Sequence, residues 1–250
     1  MKKIGIVGGL SWRSTVDYYT GLCSRAEELH LAKGLNGTPP MPEMAIESLD
    51  LKTAFSYLGD GDEESWARYD EYHRAALVKL ETSGAEIAVM AANSPHHRFE
   101  AITHGIGIPV ISIFDAAAKE CVRMGARQVL ILGTPLIMGS AKFRQHFAKY
   151  GIEAAGPRDD AERGVAAELI ADLQQGRVDG AADRLGNIAW TAYEELFRGL
   201  PVVCLACTEL PLAFPDFKSR ASFEFCGALY VNTTAAHIDA IFDAAKEGEG

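Results

Sequence analysis

Cys207-Thr208-Glu209-Leu210-Pro211 is the segment best suited to chemistry. It follows the apolar run Pro201–Ala206, which places the cysteine at the C-terminal end of a buried strand, just before a helical turn. Backbone N–H groups and the positive end of a helix would lower a thiol pKa from about 8.5 and favour the thiolate, a proton acceptor. A buried structural cysteine is the competing reading. Cys204, three residues earlier, would face the other side of a strand, and no second CxxC or His pair completes a zinc site, so it reads as core.

Two other segments carry polar groups beyond apolar runs. Gly8-Gly9-Leu10-Ser11-Trp12-Arg13-Ser14-Thr15 is a glycine-rich strand-to-helix turn. It is neither GxGxxG nor a lysine-bearing P-loop, so a small carboxylate held by Ser11 and Thr15 fits it better than a nucleotide. Asn93-Ser94-Pro95-His96 follows its strand as Thr208-Glu209-Leu210-Pro211 follows the other. Such side chains can bind a ligand carboxylate or merely cap the next helix. His96, His97 and His237 fall in helices, where a lone histidine is more often packed than catalytic.

The elements that must position these residues alternate as strand and helix, which implies an α/β fold with parallel sheets. Strands are expected at Lys3–Gly9, Met44–Leu49, Glu86–Ala92, Pro109–Ile113, Gln128–Gly133, Ile152–Ala155, Pro201–Ala206 and around Tyr230–Asn232. Helices are expected at Ser14–Lys33, Glu64–Thr82, Ala116–Met124, Met138–Lys149, Ala161–Leu173, Gly180–Gly199 and Thr234–Lys246, with Ser11 or Ser14 capping the first. The pattern restarts partway. Lys3–Leu10 resembles Gln128–Pro135, and Glu86–Asn93 resembles Val202–Thr208, at offsets of about 125 and 115 residues. This suggests two pseudo-symmetric lobes, 1–112 plus 229–250 and 113–228, with a ligand in the cleft between them, beyond the carboxyl ends of the strands. The competing reading is that all parallel-sheet strands look alike.

Composition agrees with a water-soluble globular chain: 250 residues, 48% hydrophobic, 23% charged, net charge −10. Without a basic stripe it is a poor nucleic-acid binder, and no apolar run is long enough to span a bilayer. The scattered odd set of cysteines, 23, 121, 204, 207 and 226, fits a reduced cytoplasmic protein.

Taken together, Gly8-Gly9-Leu10-Ser11 with Ser14-Thr15, Ala92-Asn93-Ser94-Pro95-His96, Gly133-Thr134, Cys207-Thr208-Glu209-Leu210-Pro211 and Asn232-Thr233-Thr234 with His237 resemble the aspartate/glutamate racemase family, particularly its aspartate racemase branch. The resemblance runs in order over nearly the whole chain. It implies a two-lobed, pseudo-symmetric and usually dimeric enzyme that needs neither pyridoxal phosphate nor metal. It also implies two cysteines on opposite faces of the α-carbon of a small, sometimes dicarboxylic, amino acid. One removes the α-proton as thiolate; the other returns a proton as thiol. Cys207 matches the second. Asn93, Ser94, Thr134, Thr208 and Glu209 match substrate-binding positions, and Arg163 falls where a basic residue meets a side-chain carboxylate, with Lys52 a further possibility.

The first cysteine position holds Ala92, which has nothing to titrate, and Ile137 replaces an expected hydroxyl. Racemisation by two bases needs a proton donor on each face of a planar intermediate. Three readings therefore stand: a racemase in which water, His96 or another group replaces the thiol; a one-cysteine isomerase or lyase, for instance a decarboxylase; or an inactive relative that binds an amino or dicarboxylic acid.

Overall fold

The computed structural model describes residues 1–60 and 62–246. Its contacts divide the chain into two units, Met1–Ser112 with Ile238–Gly250, and Ile113–His237.

The first unit runs β1 (Ile4–Gly8), α1 (Trp12–Ala32), β2 (Met44–Ser48), α2 (Leu51–Ser56), α3 (Ala67–Thr82), β3 (Ile87–Met90), a 3-10 turn (Ser94–Arg98), α4 (Phe99–Thr103) and β4 (Val110–Ile111). The four strands are parallel in the order β2-β1-β3-β4. Alternation decides which side chains meet which helix. Ile4, Ile6, Ile87, Val89 and Ala91 pack with Tyr18, Leu22 and Ala26 of α1 and with Ile238, Ile241 and Phe242. On β1, Gly5 leaves room for α3: a Cβ there would lie 3.0 Å from Leu80 Cβ.

The second unit runs α5 (Ile113–Arg123), β5 (Gln128–Gly133), α6 (Pro135–Met138), α7 (Ala141–Ala148), β6 (Glu153–Ala155), α8 (Asp160–Gln174), α9 (Ala181–Leu196), β7 (Val202–Ala206), β8 (Ser222–Phe225), β9 (Ala228–Asn232) and the start of α10 (Thr233–Lys246). The strand order is β6-β5-β7-β9-β8. Both faces are covered. Leu130, Leu132, Val203, Leu205 and Tyr230 meet α8 and α9, whereas Val129, Ile131, Val202, Cys204 and Val231 meet α5 and α7. That double burial is why β5 and β7 read as unbroken apolar runs. Cys204 is core, as its spacing implied.

Three features differ from the sequence reading. The second sheet is not wholly parallel: β8 runs antiparallel to β9 through Cys226-Gly227, whose φ angles of 46° and 74° make the left-handed pair a tight hairpin needs. Met138–Lys149 is not one helix, because the chain breaks at Gly139 and Ser140 recaps α7 by accepting from Phe143 N at 3.1 Å. The return to the first unit comes at Ile238 rather than 229, because residues 228–232 are a strand paired with β7.

An acidic contact ties α5 to α7. Asp115 Oδ1 accepts from His146 Nε2 at 2.6 Å and from Tyr150 Oη at 2.5 Å. The His146 hydrogen bond, aided by that from Tyr150 and opposed by partial burial, holds the Asp115 carboxyl at about 2, below its ordinary 3.8. A carboxyl depressed in the folded state stabilises above the unfolded value and loses that contribution as pH falls towards the folded one. The Asp115 side chain is 41% exposed, so solvent screening reduces the effect to about 1 kcal/mol. Chemical unfolding between pH 4 and pH 2 should show this loss, and Asp115→Asn should remove its share. An equal slope in both proteins would exclude it.

Candidate functional site

At the C-terminal edge of the first sheet, the turn after β1 is built around two glycines. A Cβ on Gly8 would lie 2.6 Å from Thr15 Oγ1. Gly9 has φ +88°, and a Cβ there would lie 2.1 Å from Leu49 O, so only glycine passes. Ser11 caps α1, its side chain accepting from Ser14 N at 3.3 Å. Thr15 Oγ1 accepts from Gly9 N at 2.9 Å and donates to Ser11 O at 3.1 Å. Ser14 Oγ donates to Ala91 O at 2.7 Å, tying this turn to the end of β3. The three hydroxyls thus hold the turn together, a role that the same residue types left open in sequence.

Beyond β3, Ala92 is half-buried and Asn93 is buried at the start of the 3-10 turn. Ser94 is half-buried in that turn. His96 is buried, donates from Nε2 to Met90 O at 3.2 Å and stacks on Phe99 with ring centroids 5.3 Å apart. The turn is anchored by a contact with no local signature. Arg98, 28 residues from Asp70, donates from Nε to Oδ1 at 3.0 Å and from Nη2 to Oδ2 at 2.7 Å. Both side chains are buried, and such a bidentate pair fixes geometry as well as charge. Arg98 also pairs with Glu63 at 2.6 Å and lies over the Trp66 ring.

At the C-terminal edge of the second sheet, β7 lies between β5 and β9. Thr134 and Cys207 each stand one residue beyond the paired Gly133 and Ala206, so they are neighbours on adjacent strand tips. Gly133 lets the strands approach there: a Cβ would lie 2.6 Å from Ala206 O. Thr134 Oγ1 is buried and has no hydrogen-bond partner among the described residues. Ile137, at the position expected to carry a hydroxyl, is core.

Cys207 is 5% exposed, and its Sγ donates to Glu209 Oε2 at 3.1 Å. Thr208 Oγ1 donates to the same oxygen at 3.1 Å. Burial, followed by the Glu209 carboxylate, pushes the thiol well above its ordinary range. The backbone N–H groups of Glu209 and Leu210 pull the other way and are outweighed. The thiolate expected from the helix-end argument is thus corrected: Cys207 rests as a thiol, a proton donor with a carboxylate in hydrogen-bond contact.

Arg163 lies in the first turn of α8 and its guanidinium is engaged locally. Nε donates to Pro157 O at 3.1 Å, Nη2 to Arg158 O at 3.2 Å, and Nη1 pairs with Asp160 at 3.1 Å. Lys52 is exposed in α2. Among the described residues no group of three or more His, Cys, Asp or Glu could hold a metal ion, and no helix is long and apolar enough to cross a membrane.

Comparisons with known proteins identify the family. The family described as Asp/Glu/Hydantoin racemase matches residues 7–241. The broad specificity amino-acid racemase RacX of Bacillus subtilis (strain 168) is 25% identical over 217 residues, 87% of this chain and 89% of that protein. The crystal structure of an aspartate racemase homologue from Pyrococcus horikoshii OT3 is 28% identical with a TM-score of 0.75, covering 99% of this chain and 100% of that one. An aspartate racemase from Picrophilus torridus, at 16% identity, shares the fold with a TM-score of 0.71, covering 98% and 94%. The racemase relatives and the ordered motifs converge on one conclusion: this chain belongs to the Asp/Glu/hydantoin racemase family.

Proposed function

We propose that this protein is an enzyme acting at the α-carbon of a small amino acid without cofactor, with Cys207 as acid/base on one face of that carbon. The observation that carries this reading is the Cys207 thiol donating to Glu209 at a strand tip. Glu209 takes the thiol proton, and the thiolate removes the α-hydrogen. The resulting carbanion recovers a proton from the same sulfur after exchange with water. The family resemblance assigns the opposite face to position 92, where alanine supplies neither an acid nor a base. Exchange of the α-hydrogen therefore outruns inversion.

The ligand's polar groups are assigned to short polar side chains at the strand ends: Thr134 and Thr208 in the second unit and, by the family resemblance, Asn93 and Ser94 in the first, with Ser11 and Thr15 shaping the turn there. His96 supports the 92–96 segment through its bond to Met90. Arg163 would reach a second carboxylate only by releasing Pro157 and Arg158, which disfavours a strict dicarboxylate requirement. Broad specificity is the property named for the Bacillus subtilis relative, and it is carried over here as part of the proposal. So is a cytoplasmic homodimer.

The test incubates the protein in deuterated buffer with each enantiomer of alanine, aspartate and glutamate. Wash-in of one deuterium, with inversion lagging, is the expected result. Release of carbon dioxide from a malonate-type acid without exchange would instead establish the lyase reading. Binding of these acids with no deuterium gained would establish the inactive, ligand-holding relative.

A further inference from the structure

The first turn of α10 has one polar group that its own fold does not use. Asn232 caps the helix, its Oδ1 accepting from Thr234 N at 3.1 Å and Ala235 N at 3.3 Å while its Nδ2 donates to Lys218 O at 2.8 Å. Thr233 Oγ1 donates to Leu205 O at 2.9 Å, which fastens this turn to the tip of β7, two residues before Cys207. Thr234 is 6% exposed, and its Oγ1 is buried with no hydrogen-bond partner among the described residues. A buried hydroxyl left in that state opposes folding, and a valine of the same shape would avoid the cost.

We propose that Thr234 is a ligand-binding residue: its hydroxyl donates to a carboxylate oxygen at the N-terminus of α10, beside the Cys207 thiol. This rests on the reading of Cys207 as acid/base and adds a contact to that site. The chemistry of the acceptor follows from the helix. α10 is 14 residues long, and the partial positive charge at its N-terminus selects an anion over an ammonium group. Position supports it too. β9 and β5 flank β7, so Thr234 and the half-buried Thr134, two threonines whose buried hydroxyls have no hydrogen-bond partner among the described residues, follow the strands on either side of the one that leads to Cys207. Strand tips two apart are separated by about 10 Å, too far for one carboxylate to meet both, so Thr234 takes the carboxylate and Thr134 meets a different polar group of the ligand.

Three variants test this, with L- and D-alanine, aspartate and glutamate as probes. Thr234→Val should raise Tm of the ligand-free protein by about 2–4 °C, because an unpartnered hydroxyl is removed. The same variant should bind the stabilising amino acids about tenfold more weakly, and Thr234→Ser should recover most of that affinity. Thr233→Val, which loses its bond to Leu205, should lower Tm instead. Unchanged affinity in Thr234→Val, or a lower Tm without ligand, would overturn the proposal. Cys207→Ser, measured alongside, separates the two claims. If it abolishes α-hydrogen exchange while Thr234→Val binds normally, only Thr234 is misassigned. If it retains exchange, or if no probe stabilises the wild-type protein, the reading of the whole site falls and this inference with it.

Discussion

Cys207→Ser should lower α-hydrogen exchange by about 10³-fold, near 4 kcal/mol in barrier height, with the folded state intact. Serine keeps a hydrogen bond to Glu209 and nearly the same volume. It is, however, a far weaker acid than a thiol, and an alkoxide would not form in a site whose burial already disfavours the thiolate. The hydrophobic cluster around residue 207 includes Leu205, Leu210 and Phe214, so the exchanged atom sits among well-packed neighbours and little unfolding is expected. Nuclear magnetic resonance of the α-hydrogen signal in deuterated buffer measures the rate directly. A variant retaining more than a tenth of wild-type exchange would remove the thiol from its assigned role.

The second large effect is a gain. Ala92→Cys should raise inversion by about 10²-fold or more while changing exchange far less, because a positioned acid or base contributes roughly 10²–10⁴-fold to a proton transfer. Position 92 tolerates the change structurally: Ala92 is half-buried, Ala91 rather than Ala92 belongs to the core cluster, and one added sulfur costs about 1 kcal/mol at most. The anchoring of the adjoining turn by Arg98 and Asp70 would hold the new thiol in place. Polarimetry or chiral chromatography follows the product. Inversion unchanged in Ala92→Cys would mean that residue 92 does not face the reacting carbon.

What could be read from the sequence followed from local patterns. The central strands β1, β3, β5 and β7 announced themselves because burial on two faces makes apolar runs, and Ser11 was available as the cap that it became. The β8–β9 hairpin was missed because Cys226-Gly227 is not one of the common turn pairs, although the glycine supplies one of the two positive φ angles. The site was legible as positions and less so as chemistry. Cys207 could be located, but its protonation state depends on how deeply it is buried and on the Glu209 side chain turning back towards it, and neither is a local property. Thr15 and Thr134 are the same residue type beyond equivalent strands, yet one hydroxyl is consumed by its turn and the other is unpartnered. The Arg98–Asp70 pair joins residues that no short spacing relates.

The sharpest test compares, in the wild-type protein and from a single enantiomer, the rate at which deuterium enters the α-position with the rate at which configuration inverts. Exchange with retention, exceeding inversion about 100-fold or more, is the expected result if the sulfur of residue 207 is the lone proton carrier. Equal rates in both directions would reveal a second acid/base, and the one-sided account would then be wrong.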